Sequence, residues 1–103
     1  MTSVDLSNIT TIGNNAFTGC TSLTTIGNLS NCTSIQFDAF SGCSSLTSVG
    51  DLSNITTIGS AVFKNCSKLT SVDLSNCTSI GKEAFYSCST LTTIDLSNVT
   101  SIG

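Results

Sequence analysis

The chain has 103 residues, a formal net charge of −3, and 9% charged against 39% hydrophobic residues. Serine (19), threonine (17) and asparagine (9) make up much of the rest, while His, Trp, Pro and Arg are absent. That excludes a histidine general base, a Ser-His-Asp or Cys-His nucleophile, an imidazole metal ligand and an arginine fork for phosphate. With three lysines, nucleic acid is a poor partner. There is no apolar run of membrane-spanning length and no basic segment followed by an apolar stretch, so neither membrane insertion nor a signal peptide is expected.

A repeat of 22 or 23 residues covers the chain as one domain, with units 1–22, 23–45, 46–68, 69–90 and a partial unit 91–103. The units open on an L-x-x-V-x-L pattern, with Met for the first Leu in unit one and one more residue before the last Leu in units two and three. Its apolar columns are Met1, Leu23, Leu46, Leu69, Leu91; then Val4, Ile26, Val49, Val72, Ile94; then Leu6, Leu29, Leu52, Leu74, Leu96. The alternating, β-branched end of that pattern predicts a short parallel strand. Units two and three carry one extra residue (Gly27-Asn28, Gly50-Asp51), for which a bulge is the simplest accommodation. An S-N-x-T turn follows, then a second extended stretch ending at Ile12, Ile35, Ile58, Ile80 and Ile102. Gly13, Gly59, Gly81 and Gly103 come next and predict a left-handed turn, which makes Gln36 in the same column a strain point. The last segment, with Phe17, Phe40, Phe63 and Phe85 and then Cys20, Cys43, Cys66 and Cys88, is too short for a full helix. A single helical or 3₁₀ turn is expected there. So many inward positions per unit suit a coil stacked on copies of itself, with like residues in ladders about 4.8 Å apart.

These motifs resemble a known family. The run Cys66-x-x-Leu69-x-x-Val72-x-Leu74-x-x-Cys77-x-x-Ile80 is similar to the leucine-rich-repeat consensus. The added Ile-Gly-x-x-Ala-Phe-x-x-Cys-x-x-Leu resembles the BspA-like subclass, found in surface proteins of anaerobic bacteria and some parasitic protists. Two departures stand out. The usual ladder-Asn position holds Ile9, Cys32, Ile55, Cys77 and Val99, with the Asn one residue earlier, and Ser replaces a common proline. The fold implied is a leucine-rich-repeat solenoid of about 4.5 repeats, a parallel β-rich right-handed coil with short 3₁₀ or helical turns on the convex side. The function implied is non-enzymatic adhesion at an extracellular or cell-surface location. Its partner is a protein or glycan on another cell or matrix.

The resemblance places binding on the concave strand face. Its outward positions are Ser3, Thr25, Ser48, Ser71 and Thr93; Asp5, Asn28, Asp51, Asp73 and Asp95; and Ser7, Ser30, Ser53, Ser75 and Ser97. Neighbouring Asp73 and Asp95 should repel, raising a pKa or recruiting calcium. The plainer reading is a solvated stripe that keeps the sheet soluble. Without Trp, Tyr or Arg anchors there, weak multivalent contact fits better than a tight hot spot.

Six cysteines without a C-x-x-C pair read as small buried hydrophobes rather than disulfides or a zinc site, and no metal or cofactor is expected. Paired hydroxyls such as Thr10-Thr11 and Thr56-Thr57 raise ice binding, but adjacent residues cannot share a strand face. The repeated turn makes Asn8, Asn31, Asn54, Asn76 and Asn98 candidate glycosylation sites. Of the lysines, only Lys82 beside Glu83 approaches an acid–base pair, and turn residues of this kind are normally solvated. Neither end carries a polar cap: either the chain is a piece of a longer repeat protein with its caps elsewhere, or copies stack end to end. The second, end-to-end self-association, makes a structural subunit of an extracellular fibre the alternative function.

Overall fold

An outward hydroxyl followed by an inward β-branched residue recurs twice per unit, and each occurrence forms a short strand. The computed structural model describes residues 3–4, 6, 8–27, 29–49, 52–74, 76–95 and 99–102. One five-stranded sheet contains β1 (Ser3–Val4), β3 (Thr25–Ile26), β5 (Ser48–Val49), β7 (Ser71–Asp73) and β9 (Thr93–Asp95), in that order. A second contains β2 (Thr11–Ile12), β4 (Ser34–Ile35), β6 (Thr57–Ile58), β8 (Ser79–Ile80) and β10 (Ser101–Ile102). All pairings are parallel and match like positions, for example Ile26 with Val49 and Ile35 with Ile58. The chain is thus a β solenoid with one strand from each sheet per rung.

The inward columns form one continuous core. Leu23, Leu46 and Leu69 are buried, as are Leu29, Leu52 and Leu74, then Cys32, Ile55 and Cys77. Phe17, Phe40, Phe63 and Phe85 stack as an unbroken file, with ring centroids 5.2, 5.7 and 5.5 Å apart. The predicted superposition of units is realised: matching side chains touch their counterparts. At the ends of the file, Phe17 and Phe85 are half-buried.

The second half of each unit holds the short turns, but among the described residues they do not build a helix. In the first rung the N–H groups of Ala16, Thr18 and Cys20 close four-residue turns onto the carbonyls of Gly13, Asn15 and Phe17. The intervening N–H groups of Asn15, Phe17 and Gly19 donate instead to Phe37, Ala39 and Ser41 of the next rung (2.9, 2.7 and 2.8 Å). Alternate amides therefore point along the solenoid, giving a third ladder and preventing a helix from propagating.

Left-handed residues accompany this alternation, at positions that correct the sequence expectation. Gly13, Gly59 and Gly81 are not left-handed, and Gln36 in the same column is not strained; Gly103 lies outside the described residues. Positive φ falls in two other columns. One is Asn15, Asp38, Ala61 and Glu83 (61, 58, 59 and 59°); the other is Gly19, Gly42, Asn65 and Ser87 (73, 77, 62 and 60°). Gly59 and Gly81 are small for another reason. A Cβ on Gly81 would lie 2.4 Å from the Ser60 amide nitrogen, and one on Gly59 3.0 Å from the Phe37 nitrogen. Stacked backbones approach too closely there for a side chain.

The extra residues of units two and three fall mostly outside the described residues, at Asn28, Gly50 and Asp51. Leu29, Leu52 and Leu74 are nevertheless all buried, so the insertion is absorbed before that column without shifting the core.

Candidate functional site

The predicted binding face is the outer side of the first sheet. Thr25, Ser48 and Ser71 are exposed and in register, alternating with Ile26, half-buried Val49 and Val72. Asp73 is exposed and Ser53 also; Ser30 is half-buried. The register places Ser3 beside Thr25, Thr93 beside Ser71, and Asp95 beside Asp73. Asp5, Ser7, Asn28, Asp51, Ser75 and Ser97 lie outside the described residues. The structure therefore aligns a hydroxyl file along the sheet, with two carboxylate-bearing positions at its end.

Much of the hydroxyl content elsewhere is structural. Thr33, Thr56, Thr78 and Thr100 each donate Oγ1 to the carbonyl of Thr10, Thr33, Thr56 and Thr78 in the rung before (3.3, 3.3, 3.2 and 3.1 Å). A second such ladder runs through Thr47, Thr70 and Thr92 onto the carbonyls of Thr24, Thr47 and Thr70. The first Thr of each adjacent pair is thus occupied in joining rungs, which leaves alternating exposed Thr and half-buried Ser (Thr11, Ser34, Thr57, Ser79) on the second sheet. That is not a uniform threonine array.

The displaced asparagines also join rungs. Asn54 Nδ2 donates to the Ser30 carbonyl, and Asn76 Nδ2 to the Ser53 carbonyl (2.5 Å). Asn8, Asn31, Asn54 and Asn76 are exposed, but in Asn54 and Asn76 the nitrogen that glycosylation would modify is already bonded to backbone. Asn98 lies outside the described residues.

All six cysteines are free. Cys43, Cys66 and Cys88 donate their thiols to the carbonyls of Phe17, Phe40 and Phe63 in the preceding rung (3.3, 3.2 and 3.0 Å). Burial pushes the Cys66 thiol up to about 12, with neighbouring Cys43 and Cys88 adding to it, and Cys43 up to about 11. Cys32, Cys77 and Cys88 move in the same direction, again chiefly through burial. Such thiols are poor nucleophiles and poor metal ligands. Among the described residues no three His, Cys, Asp or Glu side chains come together, and no polar side chain is buried without a partner.

A second surface feature, on the arc formed by the second half of each unit, was not anticipated. Phe37 is 49% exposed and Tyr86 56%, and neither belongs to a repeated apolar column. An open cavity of about 310 Å3 lies beside Phe37, lined also by Asp38, Ser60, Ala61, Lys64, Lys82 and Glu83. Glu83 pairs with Lys64 (3.5 Å) rather than with adjacent Lys82, and the Lys64 ammonium lies 5.5 Å from the Tyr86 ring centre. The available signal was two aromatic residues, Phe37 and Tyr86, at positions where the other units carry polar or small residues.

A family model described as a BspA type leucine rich repeat region matches residues 1–103, in six copies. No curated protein matches. Among solved structures, a leucine rich repeat protein of T. pallidum is 28% identical over 99% of this chain, with a TM-score of 0.91. A leucine-rich repeat protein from Bacteroides ovatus is 28% identical over the whole chain, with a TM-score of 0.75. One described as a leucine rich cell surface protein, from Faecalibacterium prausnitzii, shares the fold at 23% identity over 92% of the chain, with a TM-score of 0.64. The chain spans 51% of the first of these proteins and 33% and 32% of the others.

Proposed function

The chain belongs to the BspA-type leucine-rich-repeat family, and on that premise we propose a non-enzymatic adhesion module at the cell surface that meets a protein or glycan of another cell or matrix. The contact face is the outer side of the first sheet. The observation that carries this reading is the in-register, exposed file of Thr25, Ser48 and Ser71 running toward Asp73. Those short side chains leave a flat surface rich in donors and acceptors, and modest contacts from several rungs add up in multivalent binding. Chemistry needing an activated nucleophile has no support among the described residues: Cys32, Cys43, Cys66 and Cys77 are buried, Cys20 and Cys88 half-buried, and histidine is absent.

The test is binding of the chain to a panel of immobilised matrix proteins and glycans, beside a variant carrying Ser48→Lys and Ser71→Lys. The expected result is binding by the parent and a loss of at least about tenfold, or 1.4 kcal/mol, in the variant. Undiminished binding by the variant refutes the assignment of the face.

A structural subunit of an extracellular fibre is the second reading. It is favoured by an apolar opening of about 190 Å3 at the first rung, lined by Leu6, Ile9, Ile12, Ala16 and Phe17 among others. A rung laid there, whether of the same protein or of a second copy, continues the Ile and Phe columns, and only the second makes a fibre. Sedimentation velocity across a range of concentrations tests it, and a monomer at every concentration rejects it.

A further inference from the structure

We propose that the cavity beside Phe37 is a binding site for a single neutral hexose ring of a glycan. It is separate from the sheet face, and the two can fail independently.

The cavity follows from sequence. Two adjacent columns on the arc read Asn14-Asn15, Phe37-Asp38, Ser60-Ala61 and Lys82-Glu83 in successive rungs. Rungs two and four place large side chains on either side of the small Ser60-Ala61 pair. The flanking rungs are about 9.6 Å apart, twice the strand spacing, so the trough between them is about one sugar ring wide. At about 310 Å3 the cavity lies at the small end of the range for ligand sites, about 300–1,000 Å3.

Its walls are already in place. Asp38 N–H donates to the Ser60 carbonyl (3.0 Å), and Ala61 N–H to the Lys82 carbonyl (3.0 Å). The three rungs are thereby fixed by backbone bonds, and little ordering is left for binding to impose.

The chemistry of the lining selects the ligand. Phe37 contributes an exposed aromatic surface. Asp38 and Glu83 supply acceptors, Lys64 and Lys82 donors, and Ser60 both. The four formal charges cancel, so neither a polyanion nor a polycation is favoured at long range. What remains is a preference for a neutral molecule with one apolar face and a rim of hydroxyls, which describes a pyranose. A peptide anchor is less well matched, because Phe37 and Ala61 are the apolar part of the lining and leave no deep slot for a side chain.

The experiment is an NMR titration of the ¹⁵N-labelled chain with glucose, galactose, mannose and N-acetylglucosamine at millimolar concentrations, with short neutral peptides as the comparison. The expected result is amide shifts confined to residues 37–38, 60–64 and 82–86 with at least one sugar. Phe37→Ala should abolish them, as should Ser60→Leu, which fills the trough while leaving Phe37 in the sequence. Ser48→Lys on the sheet should leave them intact. The proposal is overturned if no sugar shifts these amides, if both pocket variants bind as the parent does, or if peptides shift them while sugars do not.

Discussion

Gly81 tests whether the glycine column exists for stacking or for backbone conformation. Its Cβ would lie 2.4 Å from the Ser60 nitrogen, 2.5 Å from the Gly59 carbonyl carbon and 2.8 Å from the Ser60 Cα, all of them backbone atoms. Reaching ordinary contact needs a separation of about 1 Å between rungs three and four. The bond from Gly81 N–H to the Ile58 carbonyl, now 2.8 Å, would then be lost. Overpacking of this kind costs about 1–3 kcal/mol and the hydrogen bond about 1 more. The stiffer unfolded chain of an alanine variant offsets roughly 0.5–1 kcal/mol.

Gly81→Ala is therefore expected to destabilise by about 2–3 kcal/mol. Gly59→Ala, where the nearest backbone atoms lie 3.0 Å away, should cost less, about 1 kcal/mol. Gly13→Ala meets nothing within 4 Å and should stabilise by about 0.5 kcal/mol. Urea unfolding followed by far-UV circular dichroism measures all three. A conformational requirement for glycine would penalise the three alike, so equal losses at Gly13 and Gly81 refute the stacking argument.

Phe40 and Phe37 are three residues apart but should respond very differently: Phe40→Ala, fully buried in the ring file, costs about 3–5 kcal/mol. Phe37→Ala, half exposed, should stay within about 1 kcal/mol of the parent in the same assay. Ser87→Gly removes a side chain from a residue at φ 60°, in the column that holds Gly19 and Gly42. Relief of about 1–2 kcal/mol of left-handed strain, less about 0.5–1 for glycine entropy, predicts a net gain near 0.5–1 kcal/mol and a higher Tm. The thiols predict alkaline instability. Cys43 and Cys66 hold their protons to about pH 11 and 12 when folded, whereas unfolded thiols lose them near 8.5–9. Stability should be flat below that range and then fall with rising pH, by at most about 1.4 kcal/mol per unit for each thiol. Chemical unfolding at pH 7, 9 and 10.5 measures it, and Cys66→Ala should shallow the slope. The same cysteines should react with a thiol reagent quickly in urea and slowly without it.

The stacking of rungs was legible in the sequence because every apolar column recurs at one offset. The register of both sheets follows from aligning Ile26 with Val49 and Ile35 with Ile58. The backbone of the arc was less legible. Glycine at positions 13, 59 and 81 suggests positive φ, since that is its commonest use, but the same residue also answers a demand for empty space above a neighbouring backbone. Sequence alone does not separate the two. The true left-handed columns did carry a signal, in Asn15 and Asp38 and in Gly19, Gly42 and Asn65, residues that tolerate that region. Ala61, Glu83 and Ser87 interrupt those columns and obscure it. On the sheet, spacing placed Thr25, Ser48 and Ser71 on one face correctly, but a spacing argument cannot say what such a face holds.

The arc cavity escaped the sequence reading because attention to a repeat favours what recurs. Cys66, Phe63 and Leu69 recur because each touches its counterparts in the next rungs, and a change in any of them disturbs the stack. Phe37, Ser60 and Lys82 share a column yet differ in size and charge. Their rungs are joined there through backbone groups, from Asp38 N–H to the Ser60 carbonyl and from Ala61 N–H to the Lys82 carbonyl. Side chains in such a column can change without altering the fold. In a solenoid, then, the repeated positions specify the scaffold, and a column that varies while its backbone bonds persist is free to specify a ligand.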